Sequence, residues 1–174
     1  MTDLTINFSD WFGWYADAMF GCLIAYTAQP FYCGMMFPVT IPAGATITAA
    51  HLLLHSSSNS GNGTARIYGV DTQTPVKPTT PTEANALAKT TAYVALSIPQ
   101  DVYGSWYQTA DITDIIEELL ASYDYSTEHT IAFVINTPSS AYWYHYFLYA
   151  DAADLQLHIT YTAPGGRTVQ VMFV

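Results

Sequence analysis

The chain has 174 residues, of which 51% are hydrophobic, 15% aromatic and only 10% charged; this suits one domain with a core between two packed layers and excludes a disordered segment. Fourteen acids against four bases leave a formal net charge of −10, so a phosphate backbone or an anionic bilayer would be repelled, and neither nucleic acid nor membrane is expected as a partner. The same acidity favours solubility and leaves carboxylates for a structural calcium ion.

The opening residues, MTDLTINFSD, hold no basic and apolar leader, so synthesis in the cytoplasm is expected. Residues 1–30 carry Trp11, Trp14 and Tyr15 and are read as either a first strand or a docking arm. The apolar stretches 18–26 and 31–41 are parted by Gln29 and Pro30, and each is too short to cross a bilayer. Cys22 and Cys33 could pair, but in a chain of cytoplasmic origin buried thiols are the favoured reading, and no redox role is assigned to them.

From residue 31 the chain reads mostly in period two, as strands do. In residues 31–37, Phe31, Cys33, Met35 and Phe37 fall on one side and Tyr32, Gly34 and Met36 on the other, so both faces are expected to be covered. Residues 46–55 alternate Thr48, Ala50, Leu52 and Leu54 with Ala49, His51, Leu53 and His55. Residues 56–63, of Ser, Asn and Gly, read as a flexible turn. Further strands are expected at 65–70, 92–98, 130–136 and 143–149. The stretch 72–82, TQTPVKPTTPT, holds three prolines, which remove ladder donors and predict a long surface loop.

Residues 111–121 break the pattern. Ile112, Ile115, Ile116, Leu119 and Leu120 recur at helical spacing, with Asp111 placed to cap the N-terminus and Asp114 to favour the dipole. This is one short amphipathic helix that plugs an end of the sandwich. Near the C-terminus, Leu155, Leu157, Ile159 and Tyr161 alternate with Gln156, His158 and Thr160, the pattern of a strand with one solvated side. After the hinge of Pro164, Gly165 and Gly166, the tail 163–174 alternates Val169, Val171 and Phe173 with Gln170 and Met172. Such a strand either completes its own sandwich or adds to a neighbouring subunit as an assembly arm.

Many short punctuated strands imply an all-β sandwich or barrel. Two blocks add a resemblance. Residues 37–54, FPVTIPAGATITAAHLLL, and residues 90–118, TTAYVALSIPQDVYGSWYQTADITDIIEE, followed by LQLHITY at 155–161 and together with ARIYGV at 65–70, resemble a jelly-roll β-sandwich family. That family is related to carbohydrate-binding modules and the DNRLRE-type domains of phage structural and bacterial surface proteins. The resemblance implies a jelly roll of two antiparallel sheets over residues 31–162 and transfers no active site. Leu96 stands where similar sequences often place a Trp, so a sugar-binding role for that Trp does not transfer.

Catalysis would need a nucleophile with its base, or paired carboxylates. The chain shows no Gly-x-Ser-x-Gly, His-Glu-x-x-His or phosphate-binding loop, and an enzyme is not expected. On a strand, His51 and His55 lie roughly 13 Å apart at about 3.3 Å per residue, too far to share a metal ion. His129, His145 and His158 read as isolated. Asp71, Asp124, Asp151 and Asp154 read as solvated carboxylates, with structural calcium as the alternative and no resident cofactor. Three aromatic clusters are the candidate ligand or interface residues: Trp11, Trp14 and Tyr15; Trp106 and Tyr107; and Tyr142, Trp143, Tyr144 and Tyr146. Flat aromatic faces stack on sugars and anchor protein interfaces.

The expected function is therefore that of a non-catalytic phage virion component, most simply an exterior capsid decoration or accessory protein. Its expected partners are other virion proteins such as the major capsid protein, and further copies of itself in a homo-oligomer. Its place is the virion, after synthesis in the host cytoplasm. The rivals are a carbohydrate-binding adhesin, with a surface glycan as partner, and an extracellular filament subunit assembled by strand exchange.

Overall fold

A computed structural model describes residues 1–7, 10–15, 18–19, 23–26, 32–60, 63–98, 104–136, 143–147 and 155–165. It is mostly β. In chain order the elements are β1 (Thr2–Asn7), β2 (Asp10–Tyr15), β3 (Ala18–Met19), β4 (Leu23–Tyr26), β5 (Tyr32–Val39), β6 (Thr46–Ser60), β7 (Gly63–Val70), α1 (Pro81–Ala86), β8 (Lys89–Ile98), β9 (Trp106–Gln108), α2 (Thr113–Ser122), β10 (His129–Asn136), β11 (Trp143–Phe147) and β12 (Leu155–Thr162).

The strands form two antiparallel sheets. The first has the order β1-β12-β6-β11-β4, with β9 also paired to β6; the second has the order β3-β2-β5-β10-β7-β8. Leu52 and Leu54 of β6 and Leu155, Leu157 and Ile159 of β12 share one buried core with Met35 and Phe37 of β5, Ile67 of β7 and Phe133 of β10. The chain therefore builds a β-sandwich, with Ala50, Leu52 and Leu54 of β6 and the odd positions of β12 turned inward, as their alternation dictates. Nearer the start of β6 the register shifts, so that Ile47 is buried and Thr48, expected on the inward face, is exposed. Phe37 and Phe133 meet edge to face, with ring centroids 6.0 Å apart, in the middle of that core.

In β10, residues 131–135 are all buried, because each face of the strand has its own cover. Ile131, Phe133 and Ile135 face the main core, whereas Ala132 and Val134 join Met36, Val70 and Ala84 in a second cluster, with Leu87 packed against it. Ala84 belongs to α1, so the segment after β7 folds over the outer face of the second sheet. The prolines of residues 72–82 predict only a loop there; the segment ends in a helix because Thr80-Pro81-Thr82-Glu83 is a capping signal. The Thr80 hydroxyl accepts from the Glu83 N–H at 3.2 Å, and the Glu83 carboxylate accepts from the Thr79 N–H at 2.7 Å and its hydroxyl at 2.9 Å. Pro81 stands where its missing N–H costs nothing.

Helix α2 starts two residues later than the spacing predicts. The Asp111 carboxylate still serves the helix start, accepting from the Thr113 N–H at 2.8 Å. Ile115, Ile116 and Leu119 are buried, and the helix touches β6, β7 and β8, strands of both sheets, so it closes one end of the sandwich. The approach is tied by backbone bonds. Thr109 N–H donates to the Leu52 carbonyl at 3.0 Å and Ile112 N–H to the Ala50 carbonyl at 2.8 Å. From the other side, the Glu118 carboxylate accepts from the N–H groups of Thr91 (2.7 Å) and Ala92 (2.8 Å) and from the Thr91 hydroxyl (3.1 Å). Gly69 makes room for the helix: a Cβ there would lie 2.9 Å from Ile115 Cγ2 and 3.0 Å from Leu119 Cδ1.

Two expectations need correction. Residues 56–60 are not a turn but the continuation of β6, paired to β11 with Ser58 opposite Tyr146 and Ser60 opposite Tyr144. Ser56 is buried, and its N–H and carbonyl are taken by Ser105 and Gly104; backbone pairing holds this segment where side-chain hydrophobicity does not. Cys33 is disulfide-bonded rather than a free buried thiol; the chain's other cysteine, Cys22, lies outside the described residues. The N-terminal segment takes part in both sheets, with β1 on the edge beside β12 and β2 beside β5.

Candidate functional site

The outer face of the first sheet collects most of the recognisable polar and aromatic chemistry. Strand pairing sets Thr5, His158 and His51 in one row of partners across β1, β12 and β6, with Asp3↔Thr160 two residues further along. On the far side of β6, β9 pairs Gln108 with Leu53 and Trp106 with His55. Because successive side chains alternate between faces, Asp3, Thr5, His51, His55, Trp106, Gln108, Gln156, His158 and Thr160 all lie opposite the core.

Two stacked ring pairs dominate this face. The imidazoles of His51 and His158 lie 4.9 Å apart and within 3° of parallel. His158 has a partner at each nitrogen, with the Thr5 hydroxyl at 3.1 Å from Nδ1 and the Gln156 amide oxygen at 3.1 Å from Nε2. An amide oxygen only accepts, so Nε2 carries a proton; in the neutral ring Nδ1 then accepts from the Thr5 hydroxyl, and in the charged ring it donates to it. Desolvation, then the neighbouring His51, hold the His158 pKa below the ordinary histidine value, while Asp3 pulls the other way. Desolvation also lowers His51, partly offset by Asp111. The second pair is His55 and Trp106, with centroids 4.8 Å apart and planes at 10°. Trp106 remains 47% exposed, a large apolar surface in water on the same face as Gln108. At the edge, the Thr160 hydroxyl donates to the Asp3 carboxylate at 2.5 Å.

The outer face of the second sheet carries another patch. Arg66 places its guanidinium 4.6 Å from the centre of the Tyr93 ring, and Tyr68 lies 5.4 Å from the same ring. Tyr93 is 48% exposed. Tyrosine and arginine are the residue types on which protein interfaces concentrate their binding energy. Sequence reasoning missed this trio; the period of ARIYGV places Arg66 and Tyr68 on one face, but the pairing of Tyr68 with Tyr93 is a matter of register.

The predicted aromatic clusters fare differently. The Trp106–Tyr107 cluster is split by the pleat: Trp106 faces out, whereas Tyr107 packs against the core, where burial raises its phenol pKa. Trp11, Trp14 and Tyr15 lie on β2, with Trp11 opposite Met35 and Trp14 opposite Tyr32. Trp143, Tyr144 and Tyr146 lie on β11, between β6 and β4. Beyond these backbone positions the side chains of both groups, and Tyr142 entirely, are outside the described residues, as are Val169, Val171 and Phe173 of the tail. His158 is not isolated, because the register of β12 on β6 sets it against His51.

Of the four loop carboxylates, Asp71 accepts from the Tyr123 hydroxyl at 3.0 Å and Asp124 from the Ser126 N–H at 2.8 Å; Asp151 and Asp154 are outside the described residues. No group of three or more His, Cys, Asp or Glu side chains able to hold a metal occurs among the described residues. None of their helices is long and apolar enough to cross a membrane. The chain matches no family model and no curated protein.

Proposed function

We propose that this chain is a non-catalytic part of a virion, of jelly-roll type, which acts on the exterior as a decoration or accessory protein through contacts with other virion proteins. The observation that carries this reading is the pair of aromatic patches on opposite outer faces, Trp106 with His55 on the first sheet and Tyr93 with Arg66 on the second. Both sit on paired strands rather than mobile loops, so they are presented at fixed positions with little ordering cost on binding. A component held between neighbours needs contact surfaces on more than one side. Mass spectrometry of particles purified from the source tests this. The chain should appear in a fixed ratio to the major capsid protein, and its absence from every particle would overturn the reading.

A second reading, a glycan-binding adhesin on an extracellular surface, draws on one specific observation. The half-exposed Trp106 lies on the same face as Gln108 and Gln156, an apolar platform near side-chain amides suited to sugar hydroxyls. The disulfide at Cys33 suits an oxidising destination in either case. Glycan-array binding that disappears in Trp106→Ala would favour this second reading.

A further inference from the structure

The second sheet ends on β8, which pairs only with β7 among the described strands. A strand at the end of a sheet carries backbone N–H and C=O groups that face away from its neighbour and invite another strand; proteins blunt such edges by shortness, charge, proline or a bulge. The other described edges follow that rule. β3, β4 and β9 are two, four and three residues long, and β1 carries Asp3. β8 has ten residues, and among the described residues it is blunted only where it begins, by the Glu118 carboxylate on the N–H groups of Thr91 and Ala92. Residues 93–98, YVALSI, hold no charge and no proline, and their pairing with β7 runs unbroken from Tyr68↔Tyr93 to Gly63↔Ile98. Tyr93 and Ala95 are exposed on the outer face, while Val94 and Leu96 pack into the core.

We propose that β8 pairs antiparallel with β8 of a second copy of this chain across a twofold axis at Ala95, joining the second sheets of two molecules into one. Charge and symmetry select this occupant. At a net charge of −10 two copies repel, and they approach most easily through a strip without acids; residues 93–98 are such a strip, with the cationic Arg66 beside Tyr93. An axis perpendicular to the sheet sets outward residues opposite outward residues, so one residue must lie on the axis itself. Centred on Val94, the pair would run into Thr91 and Ala92, whose N–H groups Glu118 holds. Centred on Leu96, it would set Tyr93 opposite Pro99, which has no N–H to give. Ala95 sets residues 93–97 against 93–97, with Val94 opposite Leu96 of the second copy and two methyl groups meeting on the axis. Arg66 pairs with Ala95, so the backbones of the two arginines stand about 14 Å apart at roughly 4.8 Å per strand, and the cations do not collide. None of this rests on the virion reading.

The test uses the full chain. Sedimentation should give twice the chain mass, and Ala95→Lys, which sets two ammonium groups together on the axis, should return it to the mass of one chain with an unchanged circular-dichroism spectrum. Directly opposite residues have Cα atoms about 4.5–5.5 Å apart, within disulfide reach. Ala95→Cys should therefore give a covalent dimer under mild oxidation, whereas Val76→Cys, at a position 78% exposed, should not. The cross-link leaves the fold untouched, so it decides even where the lysine variant does not fold. Monomer mass at every concentration, a dimer that survives Ala95→Lys, or equal cross-linking through Ala95→Cys and Val76→Cys would each overturn the proposal. So would a dimer that ignores Ala95→Lys but is lost on removing residues 167–174, which would assign the contact to the tail instead. These outcomes are read on the chain alone and are separable from whether particles contain it.

Discussion

Replacing Gly69 with Ala probes the seating of α2 against the end of the sandwich. The new methyl carbon would lie 2.9 Å from Ile115 Cγ2, 3.0 Å from Leu119 Cδ1 and 3.0 Å from Thr90 Cγ2. Two opposing effects follow. Fewer unfolded conformations favour the alanine by about 0.4–1 kcal/mol, whereas overpacking a filled core costs about 1–3 kcal/mol. Relaxation is limited on every side. Ile115 is β-branched and stiff at χ1; Ile115 and Leu119 are fully buried; and the Thr90 hydroxyl accepts from Gly69 N–H at 2.9 Å. Overpacking should therefore win, with a net loss of about 0.5–2 kcal/mol. Urea denaturation followed by tryptophan fluorescence measures it, with an unchanged slope marking an unchanged fold. In Leu119→Ala, which removes one of the three obstacles, the Gly69→Ala cost should shrink, giving a favourable coupling in the double-mutant cycle. A neutral or stabilising Gly69→Ala in the wild-type background would refute the close seating of α2.

Three further outcomes follow from the described contacts. His51 and His158 have lowered pKa values in the fold, so the unfolded chain binds their protons more readily and stability should be lost as pH falls below about 6.5; in the double variant His51→Gln, His158→Gln, the denaturation midpoint should vary less between pH 7 and pH 5 than in the wild type. The Glu118 carboxylate is held below its ordinary range by the Ala92 and Thr91 N–H groups, so its contribution is present above the usual carboxylate pKa and lost in more acid solution; Glu118→Ala should cost about 1 kcal/mol at neutral pH and nothing once the wild-type carboxyl is protonated, as denaturation at both pH values would show. Cys33→Ser removes the cross-link and should cost about 2–4 kcal/mol; an equal denaturation midpoint for variant and wild type under non-reducing conditions would contradict a formed disulfide.

Where the apolar period was long and one-sided, the fold was legible in the residues. The alternation of Leu155, Leu157 and Ile159 and the helical spacing of Ile115, Ile116 and Leu119 each reach the core as their periods require. What the residues did not disclose was set by partners distant in sequence. The Ser-rich end of β6 carries no apolar period and is a strand because β11 pairs with it. His158 meets His51 through a register that includes an irregularity between Thr160 and Tyr161, which no local pattern encodes. The helix α1 was legible in principle, since Thr80 and Glu83 have the spacing of a capping box, although the Glu83 carboxylate turns to Thr79, but the prolines around it carry a stronger loop signal. Trp106 and Tyr107 illustrate the limit of composition at a site: adjacent in sequence, they belong to opposite faces of the pleat.

In the proposed function, the outer faces of the sandwich act by contact. The most direct measurement is competitive incorporation of isotopically labelled wild-type chain and the double variant Trp106→Ala, Tyr93→Ala into particles, read by mass spectrometry. Both side chains are about half exposed, so the variant should stay folded, with stability within about 1 kcal/mol of wild type. The account predicts that the variant is depleted at least about tenfold from the particles; equal incorporation of the two chains would contradict it.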